Sequence, residues 1–94
     1  MALKTAPFDS AKYLTDNEAV AAYLSDMMED GDASVLATAL GNIARARGMA
    51  QIAQDAGIGR EALYKALRPG AQPRFDTISR VCSALGVRLV ALPV

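Results

Sequence analysis

Apolar residues recur at helical spacing in five stretches of the chain, and polar or turn-forming residues separate these stretches. Spacings of three and four residues place side chains on one face of a helix, so each stretch is predicted to be an amphipathic helix. The last eight residues are instead mostly β-branched or otherwise apolar, which is typical of a strand. We predict helices over about 16–28 and 33–47, two short helices within 48–68, a helix over 75–85 and a strand over 87–92.

The centre of this pattern is the pair of short helices. Apolar residues form one stripe in each of them: Ile52, Ala53 and Ala56 in the first, and Leu63, Ala66 and Leu67 in the second. Gly57 falls where the chain must reverse, and glycine reaches a positive φ angle there without a steric penalty. Two helices joined in this way, of which the second is polar, are typical of a helix-turn-helix.

Capping signals set the bounds of the two preceding helices, within residues 15–47. Thr15 followed by Glu18 predicts a capping box, with Leu14 placed for a hydrophobic staple. Asp32 is a suitable N-cap for the second helix, and Gly48 is a suitable residue to end it. The core side of the first helix is predicted to carry Val20, Tyr23, Leu24, Met27 and Met28.

The remaining segments complete a single domain over 1–94. Residues 1–14 are predicted to form an extended lead, and 68–73 a loop because two prolines and a glycine lie within it. The predicted strand cannot satisfy its own backbone hydrogen bonds. It needs the lead, a second copy of the chain or another protein's sheet edge as a partner. The core side of the fifth helix is predicted to carry Phe75, Ile78, Cys82 and Leu85.

Composition supports an all-α fold and divides the chain electrostatically. Apolar residues make up 52% of the chain but aromatic residues only 5%, which favours small, closely packed helices over a β sandwich. The formal charge is zero. However, residues 1–38 carry two basic and seven acidic side chains, and residues 39–94 carry eight basic and three acidic ones. Halves of net charge −5 and +5 indicate two different partner surfaces.

Several kinds of chemistry are not expected. The chain has no histidine, and its single cysteine, Cys82, is interpreted as a small core residue. The acidic residues lie at helix starts and a turn, so we expect no metal site, cofactor or catalytic centre. Residues 57–62 match the dinucleotide motif G-x-G-x-x-A, but that motif requires a preceding strand, and the preceding residues have a helical pattern. Without a signal peptide or a long apolar run, a soluble, cytoplasmic protein with no membrane contact is expected.

The candidate binding surface is the polar face of the second short helix. A recognition helix enters the DNA major groove by its N-terminal part, where arginine reads guanine and glutamate accepts from cytosine. Lys65 and Arg68, like Arg45 and Arg47, are expected to meet phosphates. Gln51 is expected to bind a phosphate beside the first short helix. The alternative is that these are solvated charges, with Glu61 pairing Lys65 and Tyr64 packing at the helix end. The predicted DNA-binding residues are Gln51, Gly59, Arg60, Glu61, Tyr64, Lys65 and Arg68.

The same residues resemble a known family. Residues 44–49 (ARARGM), 60–67 (REALYKAL), 73–77 (PRFDT) and 84–86 (ALG) are similar to the addiction-module antidote proteins. These are HigA-like antitoxins with a λ-repressor-like helix-turn-helix of the Xre type. The resemblance implies a five-helix domain and a HigB/RelE-like toxin, which the antidote neutralises while repressing their shared operon. The DNA-reading positions of that family fall on the residues from Gly59 to Arg68 named above.

The sequence therefore predicts a dimeric antitoxin that binds operator DNA and its cognate toxin. The acidic first third is the candidate toxin-facing surface because complementary potentials favour encounter. Two alternatives stay open: a stand-alone phage or host repressor of the Xre type, and a protein-interaction module without DNA binding.

Overall fold

A computed structural model describes residues 16–29 and 31–94, and the described residues form five α-helices and no strand. The predicted all-α class is confirmed. The predicted lead, Leu14 and Thr15 lie outside the described residues. The helices are α1 (Asn17–Met28), α2 (Ala33–Arg47), α3 (Met49–Ala56), α4 (Arg60–Ala66) and α5 (Phe75–Ala84).

The N-cap of α1 differs from the prediction by one residue. Asp16 has an extended backbone, and its carboxylate accepts a hydrogen bond from the Ala19 amide at 3.0 Å. The helix consequently starts at Asn17, so Glu18 lies in its second position and not in the third, which a capping box requires. At the other end of α1, Met28 was predicted to lie on the core side, but it is 39% exposed and lies outside the core.

The second cap was predicted correctly. Asp32 precedes α2, and its Oδ1 accepts hydrogen bonds from both the amide and the hydroxyl of Ser34, at 2.9 and 2.8 Å. The hydroxyl, more than the amide, lowers the pKa of this carboxyl because both hydrogen bonds favour its charged form. Gly48 ends the helix with a φ angle of 110°, a value that favours glycine.

The core is built around α2, which packs against α1, α3 and α5. Leu40 and Ile43 of α2 are fully buried. Burying a leucine or isoleucine side chain contributes about 1.5–3 kcal/mol. Since α3 and α4 have only eight and seven residues, far fewer than an isolated helix needs, this core holds them in place. The largest fully buried side chains are Leu40, Ile43, Leu63, Leu67, Leu85, Val20, Val81 and Cys82.

The last helix buries the predicted face with one exception. Ile78, Cys82 and Leu85 are buried, but Phe75 is 70% exposed. It occupies the first position of α5, directly after the extended Arg74, so its side chain lies beyond the core that the later turns cover. Burial raises the pKa of the Cys82 thiol to about 11 because desolvation disfavours the thiolate.

The C-terminal segment 87–94 forms no strand, so the predicted strand is not confirmed. Val87 and Leu89 still pack against the core, whereas Val90 and Leu92 are 66% and 81% exposed. The Val87 amide donates to the Cys82 carbonyl at 3.0 Å, which ends α5. A strand exists only when a second backbone completes its ladder, and no described segment does so.

Candidate nucleic-acid interface

The turn between α3 and α4 is a complete Schellman motif. Gly57 has φ 69° and ψ 33°, the left-handed conformation in which glycine carries no steric penalty. Its amide donates to the Gln54 carbonyl at 3.2 Å, and the Ile58 amide donates to the Ala53 carbonyl at 3.0 Å. Ile58 also packs against the core. The predicted glycine turn is confirmed, and its geometry sets the direction in which α4 leaves α3.

A side chain from α5 supports this turn, which sequence reasoning did not identify. Arg80 Nη1 donates to the Gly57 carbonyl oxygen at 3.4 Å, while its Nε lies 3.4 Å from Asp76 Oδ2. The i, i+4 spacing of Asp76 and Arg80 was the available signal, because such pairs meet on a helix surface. Both side chains are exposed, so the ion pair adds little stability, but it orients the guanidinium toward the turn.

One face of α4 is buried and the opposite face is open. Leu63 and Leu67 are fully buried, and Ala66 is half-buried. These side chains pack α4 against α3 and the core. The open face carries Arg60, Glu61, Tyr64 and Lys65, while Gly59 precedes the helix and Arg68 follows it. All six of these residues, which were predicted to read DNA, are exposed. The structure thus brings four of the six predicted residues together on one face of α4 and leaves the other two exposed at its ends.

Contacts within this face argue against the alternative roles considered for it. The Arg60 guanidinium carbon lies 5.8 Å from the centre of the Tyr64 ring, within the range of a cation–π interaction. Tyr64 is 43% exposed and is not packed away at the helix end. Glu61 and Lys65 both lie in the described part of the chain, and no ion pair joins them. Their charges are therefore available to a partner.

Two residues outside α4 that were predicted to contact phosphates are exposed and make contacts within their own helices. Gln51 is exposed at the start of α3, and its Nε2 donates to Asp55 Oδ1 at 2.9 Å. Arg45 is exposed, with Nη2 at 3.4 Å from Asn42 Oδ1. Neither contact is buried, so both side chains remain at the surface. Gln51 and Arg45 each interact within their own helix and stay accessible.

The phosphate role predicted for Arg47 does not fit its contacts. Its Nη1 donates to the Leu85 carbonyl oxygen at 3.1 Å, and its Nη2 donates to Asn17 Oδ1 at 2.7 Å. These bonds join the end of α2 to the start of α1 and the end of α5. Arg47 is half-buried, and a guanidinium with five donors in a fixed geometry suits such a junction. Its role here is structural.

Arg74 is a basic residue beside α4 that was not predicted to belong to the binding surface. A shallow concavity of about 310 Å³ separates α4 from the segment before α5, and Lys65 and Arg74 lie on its wall. Arg74 is exposed. The available signal was its position between Pro73 and the next helix, at the end of the loop that follows α4. Arg74 widens the basic surface from one helix to two adjacent segments.

The described residues also bear on a metal site, a dinucleotide site and a membrane span. They contain no group of three or more histidine, cysteine or acidic side chains placed to hold a metal ion. The G-x-G-x-x-A stretch follows the helix α3 and not a strand, so it lacks the structural context of a dinucleotide site. No helix in the described ranges has the length and apolar character needed to cross a membrane.

Comparison with known proteins identifies the family. The chain is 46% identical over 81 residues to an uncharacterized protein of Haemophilus influenzae, an alignment that covers 86% of this chain and 84% of that protein. No solved structure matches the chain. The model of a family described as "Probable addiction module antidote protein" matches residues 4–93. The chain therefore belongs to this family of addiction-module antidote proteins.

Proposed function

We propose that the chain is the antitoxin of a type II toxin–antitoxin module, which binds operator DNA through α4 and represses its own operon. In this proposal α3, the Gly57 turn and α4 act as a λ-repressor-like helix-turn-helix of the Xre type. The observation that carries it is the division of α4 into a buried face, with Leu63 at its centre, and an exposed face that carries Arg60, Glu61, Tyr64 and Lys65. Arg60, Lys65 and the nearby Arg68 outnumber Glu61 on this side of the chain, and an excess of cations on one face suits binding to the phosphates of DNA.

The length of α4 sets the stoichiometry of DNA binding. Seven residues at 1.5 Å per residue span about 10 Å, or about three base pairs of DNA. A contact with only about three base pairs gives little specificity for one DNA sequence over another. Useful recognition needs a homodimer with two recognition helices about 34 Å apart, one turn of the duplex.

The roles on DNA follow from position along α4. Arg60, at the N-terminal end, is placed to read guanine by a bidentate contact, with Glu61 beside it. Lys65, Arg68 and the neighbouring Arg74 are placed to bind phosphates, as are Arg45 and Gln51. Phosphate contacts supply affinity without sequence information, whereas Arg60 and Glu61 select the sequence.

The proposed protein partner is a toxin of the HigB/RelE-like class. Support comes from the antidote family and from the acidic surface of the first third of the chain. Glu18 and Asp26 on α1 and Asp32 before α2 are all exposed. A basic, RNA-binding toxin surface is complementary to these charges, which favours rapid encounter. Family membership favours this proposal over a stand-alone repressor.

DNA binding is tested by fluorescence anisotropy with the DNA upstream of the gene, between 50 and 300 mM salt. Arg60→Ala should weaken the operator by about 1–3 kcal/mol and relax the preference at one base position, whereas Lys65→Ala should weaken all DNA equally and reduce the salt slope by about 1 per protomer. Ala22→Glu, on an exposed position of α1, changes the net charge as much as Arg60→Ala does and serves as the control. Affinity that ignores salt and both substitutions would remove DNA binding from the proposal.

Toxin binding is tested by co-expression with the adjacent reading frame. We expect a stable complex and restored growth of cells that express the neighbouring protein. The double variant Glu18→Lys and Asp26→Lys should slow association. Ser79→Lys, at an exposed position of α5, is the control for a lysine added outside the acidic surface. Growth inhibition that this chain does not relieve would contradict the antitoxin assignment while leaving repression open.

A further inference from the structure

The peptide unit between Gly57 and Ile58 is held from two sides. Its amide donates to the Ala53 carbonyl at 3.0 Å, and its carbonyl accepts from Arg80 Nη1 at 3.4 Å. In the described part of the chain, no backbone amide donates to this carbonyl. We infer that Arg80 is a positioning residue that sets the discrimination between operator and other DNA without itself contacting DNA. This inference rests on the proposed function of α4.

The connection that this peptide begins is short. Only Ile58 and Gly59 separate the left-handed Gly57 from Arg60, the first residue of α4. Because a peptide unit is planar, a rotation of the peptide between Gly57 and Ile58 turns the whole chain that follows it. A group that holds this peptide in place therefore helps to set the direction in which α4 starts.

The first turn of α4 has no buried side chain. Arg60, Glu61 and Ala62 are all exposed, and Leu63 is the first buried residue of the helix. Gly59, at the N-cap, has no side chain that could cap the helix. The position of Arg60 is therefore set by the turn before it and by Leu63 after it. Since a bidentate contact with guanine needs accurate placement of the guanidinium, a change in the turn should weaken specific binding.

A second contact suits Arg80 to this role. Its Nε lies 3.4 Å from Asp76 Oδ2, one turn earlier on α5, and α5 packs against α3. A planar guanidinium holds its donors in fixed directions, so a carboxylate at Nε directs Nη1 toward the turn. Lysine has the same charge but lacks this fixed fork of donors. A lysine at this position is thus expected to lose the contact and keep the charge.

A positioning role differs from a phosphate contact in what it does to DNA binding. Asp76 has the opposite charge to Arg80, so together they add little to the field that attracts DNA. Loss of a phosphate contact weakens binding to all DNA alike and lowers the dependence on salt. Loss of a positioning contact should weaken binding to the operator alone, because only the specific contacts need an accurately placed helix.

The first test is fluorescence anisotropy of Arg80→Lys with upstream DNA and with unrelated DNA. We expect about three- to tenfold weaker operator binding, the effect of losing one hydrogen bond. Binding to unrelated DNA and the salt slope should both stay unchanged. Arg88→Lys is the control, because it makes the same chemical change at an exposed position outside the helix-turn-helix. It should bind both DNAs as the wild type does.

A second pair of variants separates the hydrogen bond from the charge. Asp76→Ala and Asp76→Asn both remove the negative charge, but asparagine keeps an oxygen that can accept from Arg80 Nε. Asp76→Ala should weaken operator binding by about two- to fivefold, since the guanidinium is no longer directed toward the turn. Asp76→Asn should stay within about twofold of the wild type. Equal losses in the two variants would contradict the orienting role of Asp76.

Amide hydrogen exchange tests the turn in the absence of DNA. In Arg80→Lys the Ile58 amide should exchange about three- to tenfold faster, because the turn opens locally more often. The Gly48 amide is the internal control, since it donates to the Ala44 carbonyl at the end of α2, away from Arg80. Its exchange should not change. A similar rise at both amides would show that Arg80 stabilises the whole fold, and it would overturn the positioning role.

The outcomes separate this inference from the proposed function. Operator binding by Arg80→Lys that equals that of the wild type overturns the inference alone, even where Ile58 exchanges faster. Equal weakening on all DNA with a lower salt slope shows a phosphate contact and also overturns it. A wild-type chain that binds no upstream DNA contradicts the proposed function, and the exchange of Ile58 then still decides whether Arg80 holds the turn.

Discussion

Gly41→Ala should destabilise the protein, although helix propensity alone predicts the opposite. Gly41 lies in the middle of α2 and is buried. A Cβ atom built there would lie 2.7 Å from the carbonyl oxygen of Leu67 and 3.1 Å from Nη2 of Arg45. The arginine can move, since it is a flexible, exposed side chain. The Leu67 carbonyl cannot move unless the end of α4 moves with it.

The expected magnitude follows from two opposing terms. Alanine is favoured over glycine in a helix interior by about 1 kcal/mol. Inserting a methyl group into a close-packed contact costs about 1–3 kcal/mol, and a contact with backbone lies toward the upper part of that range. The net destabilisation is about 1–2 kcal/mol. For a domain of this size, each kcal/mol lowers the melting temperature by about 4–8 °C.

Thermal unfolding followed by circular dichroism measures this difference. Gly59→Ala is the control, because Gly59 has φ −59° and nothing lies within 4 Å of an added Cβ atom. Its melting temperature should change by no more than a few degrees, since a poorer N-cap and a less flexible unfolded chain nearly cancel. A Gly41→Ala protein that melts at a higher temperature than the wild type would refute the close approach of α2 to Leu67.

Three further substitutions or treatments test other parts of the structure. Gly57→Ala should lower the free energy of unfolding by about 1–2 kcal/mol and Gly57→Asn by less, because asparagine tolerates the left-handed conformation better; equal losses in urea unfolding would contradict the turn geometry. Cys82 should resist thiol reagents at pH 8 in the folded protein and react fully in urea, since burial raises its pKa to about 11; rapid labelling of folded protein would contradict its burial. Asp32→Asn should lose less stability on acidification than the wild type. The hydrogen bonds from Ser34 lower the pKa of the Asp32 carboxyl below its ordinary value in the folded protein, so the charged cap stabilises the fold above the pKa of the unfolded chain, and this stabilisation is lost as the pH falls through the folded pKa. Parallel urea midpoints for the two proteins from pH 7 to pH 3 would contradict this.

Sequence periodicity predicted the helices well because burial follows it closely. The stripes through Ile52 and Leu63 are buried, and the turn at Gly57 has the expected positive φ angle. The four predicted residues within α4, from Arg60 to Lys65, share one exposed face for the same reason. Periodicity at 3.6 residues determines which side chains lie on one face, and a face that is apolar in a helix of this length must be covered.

Periodicity failed where the position of a helix end decides the outcome. Phe75 has the right spacing for the core side of α5 but lies at its first residue, beyond the packed surface. Arg47 was expected to bind phosphate because it is a basic residue near the end of α2. Its hydrogen bonds instead reach Asn17 and Leu85, which are distant in sequence, and give it a structural role. Neither of these two hydrogen bonds can be predicted from the residues that neighbour Arg47 in the sequence. Long-range hydrogen bonds of this kind depend on how helices are arranged, which spacing along one helix does not determine.

The C-terminal segment shows the same limit in a different way. Its composition predicted a strand, but none of the described segments forms a hydrogen-bonded ladder with it. A β pattern shows that a segment favours an extended backbone, which needs a neighbouring strand for its hydrogen bonds. The pattern does not show whether the same chain supplies that strand.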